Sequence, residues 1–307
     1  MYHQYFGLSE SAFSIAVNPR YLYMSGQHKE ALAHLLYGVQ GGGFVLLTGE
    51  VGTGKTTIIR SLLEQLPEQT DIAMVFNPMA SVPEILGMIC DELQVEYDKG
   101  QSSVKYLTDR LHSFLLNNHA RGRNTVLLID EAQLLSAEVL EQVRLLTNLE
   151  TNTQKLLQII LVGQPELNTL LSQPRLRQLA QRITARFHLS PLGLAETRAY
   201  IAHRLQVAGL NAEKNPFTPA IVKKIHSFSG GIPRRINILC ERILIGLYGH
   251  NQHLANNKIF TLAKKEVVGN LDDPGIKQRY GSAWLMLLPL FLFTGLVAVW
   301  LIIARPQ

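Results

Sequence analysis

Gly49-Glu50-Val51-Gly52-Thr53-Gly54-Lys55-Thr56 fits the pattern G-x-x-x-x-G-K-[ST], and an apolar run, Phe44-Val45-Leu46-Leu47, leads into it. Thr57-Ile58-Ile59-Arg60-Ser61-Leu62-Leu63 follows with helical character. A phosphate-binding loop requires this strand–loop–helix context, which a glycine-rich turn matching by chance would lack. Gly49, Gly52 and Gly54 let backbone N–H groups close around phosphate oxygens with no Cβ in the way. The helix start adds a partial positive charge. Lys55 is expected to reach the β- and γ-phosphates of ATP, and the Thr56 hydroxyl to ligate Mg²⁺. The nucleotide-binding stretch is therefore expected to run from Gly49 to Thr57.

A second element completes the chemistry. Thr125-Val126-Leu127-Leu128-Ile129-Asp130-Glu131 reads as a buried strand ending in two carboxylates. Asp130, at the carboxyl end of a central strand and facing the phosphate loop, is expected to hold Mg²⁺ beside Thr56. Glu131 is then placed to polarise the attacking water as general base. An exposed acidic turn would explain the pair alone, but not the pair together with the upstream loop.

Strand-length apolar runs recur between helical patterns at Phe44–Leu47, Ile72–Phe76, Val126–Ile129 and Ile159–Val162, with a shorter one at Phe187–Leu189. This alternation predicts a parallel sheet covered by helices. After Pro191 the pattern is helical only, over Glu196–Val207, Pro219–Phe228, Pro233–Tyr248 and Lys258–Val268. The expected organisation is an α/β nucleotide-binding domain at 1–190, a helical lobe at 191–268 and a linker at 269–280.

From Gly281 to Ala304 no side chain is charged. At about 1.5 Å per residue a helix of this stretch would span roughly 36 Å, enough to cross a bilayer with some tilt. The two tryptophans, Trp284 and Trp300, lie near its ends, where amphipathic rings favour the headgroup region. Pro289 is tolerable in lipid if neighbours satisfy the freed carbonyl. Lys277 and Arg279 precede the span, so the positive-inside tendency agrees with a cytoplasmic N-terminal domain and a short periplasmic tail, 305–307. The N-terminus, Met1-Tyr2-His3-Gln4, has neither a basic n-region nor a following apolar h-region, so no signal peptide is expected. The two cysteines, Cys90 and Cys240, lie in apolar helical patterns and read as buried reduced thiols. A net charge of +5 and a pI near 9.2 would suit anionic partners, but the basic residues are scattered, and a face beside anionic lipid explains them equally well.

The two motifs and the separate helical lobe resemble an AAA+ ATPase. The resemblance implies that Gln164, closing the run Leu157–Gly163, stands where this superfamily carries its first sensor of the γ-phosphate, although Asn or Thr is more usual there. Arg182-Ile183-Thr184-Ala185-Arg186-Phe187 resembles the segment that presents an arginine finger to a neighbouring subunit; Arg186 is favoured, with Arg182 the alternative and an ordinary surface arginine the bland reading. Gly230-Gly231-Ile232-Pro233-Arg234-Arg235 opens a helix in the manner of the second sensor, with Arg234 as its candidate.

Narrower matches follow. Tyr5-Phe6-Gly7-Leu8, Asp130-Glu131-Ala132-Gln133, Leu161-Val162-Gly163-Gln164-Pro165-Glu166-Leu167 and Gly231-Ile232-Pro233-Arg234-Arg235-Ile236-Asn237 together resemble the general secretion pathway protein A (ExeA-like) family of bacterial type II secretion and type IV pilus systems. Members usually continue past the membrane into a peptidoglycan-binding domain. Here Arg305-Pro306-Gln307 follow the span, as in the short MshM-type form of mannose-sensitive haemagglutinin (MSHA) pilus biogenesis, and peptidoglycan binding is not carried over. The resemblance implies a homo-oligomer in the bacterial inner membrane, working with pilus or secretion-machine membrane proteins. It also implies that the segment Tyr2–Met24 lies near the adenine, with Tyr5, Phe6, Phe13 and Tyr21 reading as packing residues rather than stacking platforms. A DNA-handling ATPase of the transposition-regulator type shares this core and is the alternative, but a terminal anchor disfavours nucleic acid as the partner. A nucleotide-binding scaffold without turnover would not need Glu131.

Overall fold

The computed structural model describes residues 2–16, 18–41, 43–76, 78–150 and 155–269. The expected membrane span, 281–304, lies outside these residues, as does 270–280 of the expected linker. Among the described residues no helix is long and apolar enough to cross a membrane.

Five strands form one parallel sheet: β1 (Gly43–Gly49), β2 (Thr70–Val75), β3 (Asn124–Ile129), β4 (Gln158–Gly163) and β5 (Ile183–Leu189), in the order β2-β3-β4-β1-β5. Every apolar run read from the sequence lies in one of them. Two details differ. Phe76 falls just beyond β2 and is 58% exposed, and β5 begins four residues earlier than Phe187, taking in Arg186. The sheet is parallel because each strand returns through a helix, and both faces are therefore covered. Phe44, Leu46, Leu127, Ile129, Ile159 and Leu161 face a core shared with α4 (Val82–Glu92), α5 (Val104–Ala120) and α6 (Ala137–Leu146). Val45, Leu47, Val126, Leu128, Ile160 and Val162 face the opposite core, with α2 (Gly26–Gly41) and α3 (Lys55–Leu63). Two short helices, α7 (Glu166–Leu171) and α8 (Arg177–Gln181), connect β4 to β5.

The helical lobe consists of α9 (Leu194–Val207), α10 (Pro219–Ser229), α11 (Pro233–Gly249) and α12 (Asn257–Val268). Its core also contains Phe6, from α1 (Tyr2–Phe6), together with Leu8, Ala12, Phe13 and Tyr21. The N-terminal segment, expected within the α/β unit, thus packs on the helical lobe. Polar contacts agree: Ser11 Oγ donates to Glu241 Oε2 at 3.1 Å, Tyr2 donates to the same carboxylate, and Ser9 N donates to Ala208 O at 2.8 Å. The sheet's faces are already filled by its own helices, so these apolar side chains are buried where uncovered surface remains.

Within the helical lobe, Gly231 has φ +74°, and a Cβ there would lie 2.1 Å from Leu192 O. Only glycine permits that approach, and it allows Leu192 N to donate to Gly231 O at 2.9 Å. Cys90 and Cys240 are free and buried in different cores, as reduced thiols should be, and burial pushes the Cys90 thiol up to about 11.

Candidate nucleotide-binding site

The glycine-rich loop leaves β1 and enters α3. Gly52 and Gly54 adopt φ of +84° and +112°, a region closed to most side chains. A Cβ on Gly52 would stand 2.6 Å from Arg234 Cβ, and one on Gly54 would stand 2.6 Å from His28 Nε2. The loop is thus a cradle that side chains would fill. Inside it, the buried Lys55 Nζ donates to Gly49 O at 2.7 Å and Glu50 O at 3.1 Å. Burial lowers the Lys55 pKa, while the nearby Glu131 and Asp130 charges oppose the shift. Thr53 Oγ1 donates to Glu50 O at 2.8 Å, which tightens the turn. Thr56 and Thr57 begin α3 and face the cleft beside Val51.

His28, near the start of α2, braces this loop. Its Nε2 lies 3.1 Å from Thr53 O and its Nδ1 2.7 Å from Ser25 Oγ. A carbonyl can only accept, so Nε2 carries the hydrogen and Nδ1 accepts from the serine. Burial lowers the His28 pKa, favouring this neutral form.

Asp130 and Glu131 follow β3 directly. Asp130 is buried and its Oδ1 accepts from Glu131 N at 2.8 Å. Burial raises the Asp130 pKa, Glu131's charge adds to the shift, and Lys55 opposes it. Glu131 occupies left-handed backbone, φ +51°, which turns its carboxylate away from the strand direction. One oxygen, Oε2, accepts from both Gln133 Nε2 (2.6 Å) and Gln164 Nε2 (3.2 Å). The two glutamines are themselves joined, Gln164 N donating to Gln133 Oε1 at 3.0 Å. Gln164 therefore stands at the end of β4 beside Glu131, and it is not among the residues that line the cleft between the lobes.

A cleft of about 500 Å³ runs between the lobes. It is lined by the loop, by Glu131, by Arg234 at the start of α11, and by residues of the N-terminal segment. Arg234 N donates to Gly52 O at 3.3 Å, so the helical lobe touches the phosphate loop directly. Arg182 and Arg186 do not line this cleft. Arg182 Nη1 donates to Thr147 Oγ1 at 2.7 Å, whereas Arg186 is exposed on the edge strand β5 and its Nη2 donates to Ala180 O at 2.8 Å.

The donors fit Mg²⁺. Thr56 is exposed and lines the cleft, and Asp130, buried at the end of β3, offers a second hard oxygen, few protein ligands being usual for a cation that also binds phosphates. Among the described residues no group of three or more His, Cys, Asp and Glu forms a dedicated metal cage. Reading the sequence did not assign roles to His28, Gln133, Tyr200, Arg204 or Asn237. For Gln133 the only signal was an amide two residues after the carboxylate pair; the others come together only through the tertiary fold.

Residues 39–171 match the family model described as an AAA domain. Over 274 residues the chain is 55% identical to the general secretion pathway protein A of Aeromonas hydrophila, a match covering 89% of this chain and 50% of that protein. The chain thus spans about half the length of the curated relative it matches. Among solved structures, Cdc6p of Pyrobaculum aerophilum aligns with TM-score 0.63 at 18% identity, over 84% of this chain and 70% of that one. A Walker-type ATPase of Pyrococcus abyssi aligns with TM-score 0.57 at 14% identity, over 89% and 81%. At these identities the structural likeness establishes the fold alone. By sequence, the chain is similar over most of its length to general secretion pathway protein A, and its residues 39–171 match an AAA domain.

Proposed function

We propose that this chain is a membrane-anchored ATPase that binds and hydrolyses ATP with Mg²⁺, and that its turnover assists assembly of a type IV (MSHA-like) pilus or a type II secretion machine. The observation that carries the enzymatic part is the Glu131 carboxylate, held by two amides at the edge of a cleft that opens onto the phosphate loop.

Lys55 exchanges its two loop carbonyls for phosphate oxygens, and the loop N–H groups take the remaining phosphate charge. Thr56 and Asp130 would hold Mg²⁺, which would supply Lewis-acid neutralisation of that charge. Glu131 takes the proton of the attacking water, and Gln133 and Gln164 fix the orientation of its carboxylate. Arg234 reaches the phosphates from the helical lobe. Arg186, exposed and turned away from its own cleft, suits a contact made in trans in a homo-oligomer, with Arg182 as the alternative.

The membrane part rests on the uncharged stretch 281–304 and on the relative's name, and implies a bacterial inner-membrane location with the ATPase domain in the cytoplasm. The test is fractionation of cells expressing the full chain and a version ending at residue 280, with phosphate release measured on both. The full chain should stay in the membrane fraction after a high-salt wash and the shortened one should become soluble with its ATPase activity intact. A shortened chain that remains in the membrane removes the anchor reading, and a purified full chain without ATP turnover removes the enzymatic one.

A further inference from the structure

Arg204, on α9, is buried, 6% exposed, and no carboxylate pairs with it among the described residues. A buried cation without a counter-ion is costly unless its donors are satisfied. Three of the five are: Nε donates to Ala12 O at 2.6 Å, Nη2 to Ser14 O at 3.0 Å, and Nη1 to Tyr200 Oη at 3.0 Å. Tyr200 Oη in turn donates to Asn237 Oδ1 at 2.8 Å. The guanidinium also lies over the Tyr21 ring, 4.7 Å from its centroid. Arg204 also lines the cleft, but three of its five N–H donors are committed to protein oxygens. What it does is pin the N-terminal segment at the point where that segment reaches the cleft. Ile15, Ala16, Leu22 and Tyr23 form a largely apolar wall there, and the Tyr23 ring meets the Tyr200 ring edge-on at 5.8 Å. The phosphate loop lines the same cleft, so this wall offers a flat apolar ring a surface to lie against once a triphosphate is seated.

We propose that Arg204 is a positioning residue for nucleobase recognition, acting from the helical lobe through the backbone of residues 12–14 to hold the wall formed by Ile15, Ala16, Leu22 and Tyr23. The inference rests on the nucleotide-binding reading and adds to it the determinant of the base end.

The experiment compares ATP with inorganic tripolyphosphate, which carries the phosphates but no base. Dissociation constants for both are measured calorimetrically on the purified full chain and on Arg204→Met, whose folding is checked by thermal melting. Loss of the pinning hydrogen bonds should weaken ATP by about tenfold or more and leave tripolyphosphate within about twofold. An unchanged ATP constant overturns the inference. A parallel loss for both ligands overturns it too, since the phosphate loop would then be what Arg204 supports. If Arg204→Met does not fold, Tyr200→Phe, which keeps the ring and loses the hydroxyl, decides the matter by the same comparison, with an expected loss of about threefold confined to ATP. A wild-type chain that binds tripolyphosphate and ATP equally also overturns the inference, whereas one that binds neither removes the nucleotide reading itself.

Discussion

Replacing Glu131 with Gln changes charge and basicity while nearly preserving shape, and the structure allows its consequences to be separated. In the native site Oε2 accepts from Gln133 at 2.6 Å and Gln164 at 3.2 Å. Both bonds end on a single oxygen, and the substituted amide retains one that can accept both, so what is lost is their charge assistance, roughly one neutral hydrogen bond's worth or about 0.5–1.5 kcal/mol. That is small against a domain stability of about 5–15 kcal/mol, so the variant should fold. Lys55 and the loop amides are untouched, so ATP affinity should stay within about threefold, the scale of less than one hydrogen bond. Turnover is another matter, because a positioned general base contributes about 10²–10⁴ in rate. Phosphate release under saturating ATP, with fluorescent-nucleotide titration and thermal melting on the same preparation, measures the three quantities together. A rate within about tenfold of wild type would refute the assignment and point to another base.

Two further expectations use other parts of the site. Arg186→Ala should bind ATP normally but turn it over more slowly by about 10³ or more, and mixing it with Lys55→Ala should restore part of the activity, because some interfaces then pair an intact Lys55 with an intact Arg186. A mixture without rescue in a phosphate-release assay sends Arg186 back to an ordinary surface role. His28 makes stability acid-sensitive: its native pKa lies below the ordinary 6.5, so the unfolded chain binds the extra proton first. The corresponding stability is complete above pH 6.5 and is lost as pH falls from there through the depressed native value, at up to about 1.4 kcal/mol per pH unit. Urea denaturation of wild type and His28→Gln between pH 7.5 and 5.5 should reveal a difference that shrinks with acidity, and a constant difference contradicts the argument.

The parts of this fold legible in the sequence are those whose cause is local. Val126–Ile129 reads as a strand because both its faces are buried, so four apolar residues stand in a row. Gly52, Gly54 and Lys55 were readable because the loop's backbone imposes its own residue types. The N-terminal segment had no such signature. Phe13 and Tyr21 look the same on paper whether they cover a sheet or a helical lobe, and their partners lie far along the chain. Gln133 and Gln164 likewise meet only because the turn after β3 is folded back beside the end of β4, where Gly163 leaves room: a Cβ there would stand 2.7 Å from Gln133 Oε1.

The packing of residues 2–21 on the helical lobe has a bearing on how the chain acquires its structure. Arg204 and Ala12 are 192 positions apart, Ser11 and Glu241 are 230 apart, and the whole α/β unit lies between them as an insertion. During synthesis the first segment emerges long before its partners exist, and closing loops of this length carries a large entropic cost that only the finished lobe offsets. The sheet, whose strands and covering helices are complete by Leu189, can form first and bring the two ends together. Removing the N-terminal segment would therefore leave the early-folding unit intact and strip apolar cover from the late one, including the Phe13 ring that meets Phe217 edge-on at 5.8 Å. Such a truncation should yield a chain that folds halfway, with an aggregation-prone second lobe and without Ile15 and Ala16 along the cleft.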